Sequence, residues 1–240
     1  LAGKDEYDAT TSPKEVKSYT QNLKKSKKMT IGISDAYLEG VNPEIINAIE
    51  KALQVLTKQG HTIKKIKLFN PKYAINVYTI LQRSEVSSNL ARFDGIRFGS
   101  DRSYLGKEAK QRIMLGTYAL SAGYHDAYYK KAQKVRTIII QDFAKAFENV
   151  DVIIGPTTPV TALKVGASKD SAMFGELMDV LLEPSSIAGL TGINIPVGFS
   201  KENMPIGMQI IGPQYAEETV LNLAYQYELE SQWNLIKPKL

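Results

Sequence analysis

The stretch Met29–Leu68, MTIGISDAYLEGVNPEIINAIEKALQVLTKQGHTIKKIKL, decides the fold class. Its first six residues, MTIGIS, alternate and end too early for a helix, so they read as a short apolar strand. Asn42-Pro43-Glu44 then opens a helix. Asn42 offers a capping oxygen, Pro43 suits a first turn whose N–H has no partner, and Ile45, Ile49, Leu53 and Leu56 recur at helical spacing. Gly60 stops that helix, and His61–Leu68 reads as a second strand. A strand, a helix and a strand in this order imply a parallel pair joined by a right-handed crossover.

Outward from this unit the chain stays α/β. Pro71–Phe93 reads as a long helix ended by Asp94-Gly95, and residues 96–106 as irregular. Helices over about 107–122 and 124–148 follow, broken at Gly123. In the second, Tyr124, Tyr128, Ala132, Val135, Ile139 and Phe143 fall on one stripe. Asp151–Gly155 is a buried type of strand running into Pro156-Thr157-Thr158-Pro159, and open α/β sheets bind ligands at such strand ends. Met173–Leu182 reads as helical, with Pro184 interrupting or restarting it. Ile193–Phe199 and Ile206–Ile211 are strands a hairpin apart, and Ala216–Glu230 is a closing helix. Residues 1–28 are polar and read as a surface linker, with a short helix between Lys14 and Leu23.

Composition narrows the chemistry. The 240 residues are 43% hydrophobic and 23% charged, enough for a substantial core in a water-exposed protein. The formal net charge is +5, carried in short runs such as Lys24-Lys25 with Lys27-Lys28, Lys64-Lys65-Lys67 and Lys130-Lys131-Lys134, which read as solvated faces. There is no cysteine, which removes disulfides, thiolate nucleophiles and Cys-ligated metals together. Only His61 and His125 are present, too few for a His-rich metal site, and no metal is expected. No apolar run reaches the roughly 20 residues of a membrane helix, so no membrane partner is expected. Nothing matches GxxxxGK[ST], or GxGxxG after a strand.

Several residue groups have two readings. Ser87-Ser88 and Ser185-Ser186 lack the flanking glycines of a nucleophile elbow and read as helix-packing serines. Arg112 offers a bidentate fork for a carboxylate, but Glu108 stands four residues before it and can make an ordinary i,i+4 pair. Asp179, the lone anion among Leu177, Met178, Val180, Leu181 and Leu182, is either a solvated helix position or a buried partner for a cation. Tyr118, Tyr124, Tyr128 and Tyr129 read as core at helical spacing, and Arg136 with the lysines near it as surface. Thr157 and Thr158 fit anion binding and turn chemistry equally well.

Taken as a set, RSEVSSNLARFDGIRFG (83–99), RIMLGTYALSAGYHDAYYKKAQKVRT (112–137), DVIIGPTTP (151–159), AGLTGINIPVGFS (188–200) and MPIGMQIIGP (204–213) carry a resemblance. They resemble the A subunits of the tRNA-dependent amidotransferases that act on Glu-tRNA(Gln) and Asp-tRNA(Asn), within the amidase signature family. The opening LAGKDEYDATTS is similar to the segment just past that family's signature region. The resemblance implies a mixed sheet flanked by helices, with residues 1–240 forming the C-terminal part of a single amidase domain. It implies a glutaminase that works through a Ser–cis-Ser–Lys arrangement. The glycine- and serine-rich signature and the lysine belong to the family's N-terminal half, and no stretch here matches them. Catalytic residues are therefore expected outside this chain, and the chain alone is expected to be inactive.

By the same resemblance, Tyr78, Arg112 and Asp179 match positions that hold free glutamine. Arg112 takes the α-carboxylate, Asp179 the α-ammonium, and Tyr78 adds a hydroxyl. The implied partners are glutamine, amidotransferase B and C subunits, and Glu-tRNA(Gln) through the complex. No cofactor is expected in this chain; ATP and Mg²⁺ belong to the B subunit. The implied compartment is the cytoplasm or an organelle. The chain is shorter than the family between Gly99 and Lys107, and Ser185-Ser186-Ile187 replaces a more usual Ala-Asn-Leu. Half of an α/β sheet standing alone is expected to expose apolar surface and to self-associate.

Overall fold

A computed structural model of the chain describes residues 2–23, 27–167 and 178–236. The Lys24-Lys25 run and the first half of the helix expected over Met173–Leu182 lie outside the described residues. Five strands form one mixed sheet: β1 (Thr30–Ile33), β2 (Thr62–Lys65), β3 (Val152–Pro156), β4 (Thr191–Phe199) and β5 (Pro205–Gly212). They lie in the order β2-β1-β3-β5-β4. β1 runs parallel to both β2 and β3, while β5 is antiparallel to β3 and to β4. The α/β class and the mixed sheet both match the expectation from sequence.

The crossover forms as its residues require. The helix α2 spans Pro43–Lys58, and the Asn42 side chain accepts a hydrogen bond from the Glu44 N–H, which satisfies one of the donors left open in the first turn. Its buried face is Ile45, Ala48, Ile49, Ala52 and Leu56. Gly60 ends it at φ +91°, a conformation that favours glycine. The second strand is shorter than Leu68 would allow. The Ile66 N–H still reaches the Ile33 carbonyl at 2.9 Å, but the chain then turns away to bury Leu68. His61 is buried at the mouth of this unit, and its Nδ1 accepts from the Met29 N–H at 3.2 Å. That bond needs a neutral ring, and burial holds the imidazole below its ordinary range, with Lys28 adding to the effect.

Helices cover the sheet. Among the described residues they are α1 (Tyr19–Asn22), α2, α3 (Lys72–Leu90), α4 (Lys107–Leu120), α5 (Lys131–Phe147), α6 (Glu183–Ala188) and α7 (Glu217–Ser231). Phe143 of α5, Ile31 of β1, Ile210 of β5 and Leu223 of α7 are fully enclosed in one continuous core. The N-terminal stretch lies against α7: Lys17 pairs with Glu218, and Asn222 Nδ2 donates to the Asn22 carbonyl at 2.9 Å. Pro184 sits in the first turn of α6, so it restarts the chain as a helix. Arg136 is not a plain surface residue. Its Nε donates to the Ile187 carbonyl at 2.7 Å, which ties α5 to the C-terminal turn of α6. No described helix is long and apolar enough to cross a membrane.

Candidate functional site

Two helices build the candidate site, and small residues set their separation. A Cβ added at Gly116 of α4 would lie 1.9 Å from the Arg83 carbonyl oxygen of α3 and 2.8 Å from the Ser87 Cβ. The two backbones therefore approach as closely as glycine permits. One position on, Thr117 Oγ1 lies 2.7 Å from Ser87 Oγ, and Ser84 Oγ folds back onto the Ile80 carbonyl at 2.7 Å. Ser87 and Thr117 satisfy each other across the helix contact, while Ser84 is satisfied within its own helix, as expected for packing serines. Ser185 and Ser186 likewise donate to the Leu182 carbonyl.

Arg112 lies one turn before Gly116, so the close contact aims it back at α3. Its Nε donates to Glu108 Oε1 at 2.7 Å, and the Tyr78 hydroxyl lies close enough to the guanidinium to favour its charged form. Arg112 is the sheltered partner, with its side chain 29% exposed against 69% for Glu108. The Glu108 hydrogen bond, opposed by partial burial and helped by Tyr78, raises the arginine pKa beyond its ordinary value. The cation is permanent. Both readings of Arg112 thus meet in one geometry: the i,i+4 pair forms, and the fork also faces a groove. Arg83, Glu108, Gln111, Arg112, Leu115 and Tyr118 lie along that groove, whose volume is about 540 Å³.

The structure brings Tyr78 and Arg112 together. Asp179 is exposed, in the turn leading into α6; its carbonyl accepts from the N–H groups of Leu182 at 2.8 Å and Glu183 at 3.1 Å. Its carboxylate makes no hydrogen bond or ion pair to another described residue. α6 packs on α3, the helix that carries Tyr78, and on α5. Of the two readings open for Asp179, the exposed one holds in this structure.

Beyond the groove, the tyrosines depart from expectation. Tyr118, Tyr124 and Tyr128 are exposed and cluster with their rings tilted to one another, with centroids 4.2 Å apart for the first two and 6.0 Å for the last two. Only Tyr129 packs partly against the core, under the His125 ring. The cause is local. Ser121 caps α4 through its hydroxyl to the Tyr118 carbonyl, Gly123 turns the chain at φ +86°, and the chain re-enters through a π-turn at Asp126–Lys130. There the Lys130 N–H reaches back to the His125 carbonyl, and the extra residue swings the tyrosine face off the core stripe that Ala132, Ile139 and Phe143 keep. A hydrogen bond with Tyr124 pushes the Tyr118 hydroxyl up to about 12.

The threonines after β3 are turn residues: Thr157 Oγ1 donates to Asn194 Oδ1, and Thr158 Oγ1 to the Val160 carbonyl. Sequence reasoning missed the role of Gly116. The signal was available, as a lone glycine inside a helical pattern one turn after a candidate arginine.

Comparison with known proteins supplies the family. The A subunit of glutamyl-tRNA(Gln) amidotransferase from Oceanobacillus iheyensis is 46% identical over 257 aligned residues, covering 100% of this chain and 53% of that protein. Its counterpart from Brevibacillus brevis is 44% identical, again over 100% of this chain and 52% of the relative. The chain thus spans about half the length of the curated relatives it matches. The crystal structure of the glutamyl-tRNA(Gln) amidotransferase A subunit from Thermotoga maritima superposes with a TM-score of 0.74 at 32% identity, over 96% of this chain and 49% of that one. A 6-aminohexanoate cyclic dimer hydrolase shares the fold, with a TM-score of 0.81 at 19% identity over 99% of this chain and 52% of that one. A sequence profile described as Amidase matches residues 1–221, and the chain belongs to that family.

Proposed function

We propose that this chain forms the glutamine-binding wall of the glutaminase component in a tRNA-dependent amidotransferase. The observation that carries the reading is the Arg112 fork, held between Glu108 and Tyr78 over an open groove. A free amino acid is recognised by one fixed cation and one anion, and charge-assisted bonds of this kind discriminate against amides that lack either group. Arg112 takes the α-carboxylate, Tyr78 adds its hydroxyl, and Asp179 takes the α-ammonium. The family's serines attack the side-chain amide, and the released ammonia serves to amidate Glu-tRNA(Gln). The similarity to the A subunits of glutamyl-tRNA(Gln) amidotransferases supports this reading. The chemistry of tRNA activation, with its ATP and Mg²⁺, falls to a B subunit. A C subunit completes the complex, which works in the cytoplasm or an organelle. The 240 residues alone are inactive and self-associate.

The test is Arg112→Ala in the assembled amidotransferase, assayed for ammonia release. The expected result is a rise in the glutamine KM of about 30-fold or more, because a buried substrate carboxylate is left without its partner. Turnover of a carboxylate-free amide is expected to change little. Unchanged glutamine kinetics overturn the assignment. Equal use of glutamine and simple amides by the unmodified enzyme points to an amidase of another specificity.

A further inference from the structure

Glu108 is the more exposed member of the ion pair, yet its bond to Arg112 is short, at 2.7 Å. We infer that Glu108 is a positioning residue, holding the Arg112 guanidinium so that its outer edge stays open to the ligand carboxylate. The inference rests on the proposed role of Arg112 and adds to it.

A guanidinium has two edges that can take a carboxylate in bidentate fashion, one formed by Nε with one Nη and one formed by the two Nη groups. Glu108 Oε1 occupies Nε at 2.7 Å. The side-on edge is thereby taken by a residue of the same helix, and the end-on edge is left as the carboxylate site. The spacing is that of an i,i+4 pair on α4, so the geometry is fixed by the helix itself. α4 is in turn locked to α3 by the close contact at Gly116 and by the Thr117–Ser87 hydroxyl pair. Tyr78, on α3, faces the guanidinium from the other helix and favours its charged form. A long side chain with many rotamers is reduced to one pose before ligand arrives, and the ordering cost of binding is correspondingly lower.

The pair could instead be an ordinary surface ion pair. Such a pair acts through charge, and removing the charge alone would abolish its effect. A positioning bond acts through the acceptor oxygen, which a glutamine side chain retains. Glu108→Ala and Glu108→Gln therefore separate the two. With its side chain 69% exposed, Glu108 is also replaceable without opening the core.

The experiment measures glutamine hydrolysis by the assembled amidotransferase carrying Glu108→Ala, Glu108→Gln or Arg112→Ala, with 4-aminobutanamide, which lacks the α-carboxylate, as the control substrate. Glu108→Ala is expected to raise the glutamine KM about 10-fold with kcat within about twofold, the signature of lost ground-state binding. Its turnover of 4-aminobutanamide stays at the parent level, and Glu108→Gln restores the glutamine KM to within about threefold of the parent. Unchanged kinetics in Glu108→Ala overturn the inference, as do equal defects in the Ala and Gln variants. Equal losses on both substrates also overturn it, because they report a general structural defect. If Arg112→Ala leaves the glutamine KM unchanged, the glutamine reading itself fails. A defect in Arg112→Ala with none in Glu108→Ala removes only the positioning role.

Discussion

The helices α2 and α4 are of similar length, and they meet opposite fates. α2 buries Ile45, Ala48, Ile49, Ala52 and Leu56 against the sheet and turns its charges outward. α4 buries only Gly116 and Ala119, and leaves Met114, Leu115 and Tyr118 open. One helix is placed by an apolar stripe. The other is placed by a single glycine and a pair of hydroxyls, and presents its large side chains to whatever lies beyond. The lesson is that the sheet side is organised for stability and the α3–α4 side for contact.

The comparison breaks most readily at leucine. Leu56 is fully buried in the core, whereas Leu115 is 48% exposed. Leu56→Ala is expected to cost about 4 kcal/mol, the transfer term plus the cavity left behind. Urea denaturation followed by circular dichroism reads this directly. A loss below about 1 kcal/mol would show that the sheet side is as loosely packed as α4.

Gly116 is the second place to press. Gly116→Ala must push α4 away from α3, because its Cβ would lie 1.9 Å from the Arg83 carbonyl oxygen. The expected cost is about 3 kcal/mol, in the upper range for overpacking and contrary to the usual gain of alanine over glycine inside a helix. The same denaturation measurement checks it. Stabilisation would mean that the helix contact is not close, and the geometry offered for Arg112 would fall with it.

These two sites also mark what the sequence disclosed. Capping by Asn42, Pro43 in the first turn, the stop at Gly60, the parallel pair and the β4–β5 hairpin each follow from local chemistry, and each is present. Local rules fail where two elements meet. No periodicity announces that Gly116 touches the backbone at Arg83. The π-turn at Asp126–Lys130 breaks the 3.6-residue spacing on which the tyrosines had been assigned to the core. Arg136 looked like one more cation in a basic run, and its bond to Ile187 depends on where α6 docks. At the candidate site, only the family resemblance pointed to Tyr78, whereas pattern supplied Glu108 by its i,i+4 spacing from Arg112. Pattern could not supply their convergence, which needs α3 and α4 side by side. For Asp179 the pattern left two environments open, and the structure finds the exposed one.

The smallest effect on stability tests the open side itself. Leu115→Ser exchanges a half-exposed apolar side chain for a polar one at the rim of the groove, and stability should move by no more than about 0.5 kcal/mol. Association should respond more. Met114, Leu115, Tyr118, Tyr124 and Tyr128 are all exposed, and the three tyrosines touch, so the apolar surface is contiguous across α4 and the π-turn. A face of that kind tends to be covered by another surface. The isolated 240-residue chain is therefore expected to self-associate as its concentration rises, with Leu115→Ser shifted toward monomer in sedimentation velocity. The serine acts by raising the hydration of the face, so the shift should survive high salt, which screens only the mutual repulsion of chains that each carry a net charge of +5. A parent chain that stays monomeric at all concentrations would break the contrast from the other end, by showing that the exposed aromatics of α4 are tolerated in water as readily as the polar face of α2.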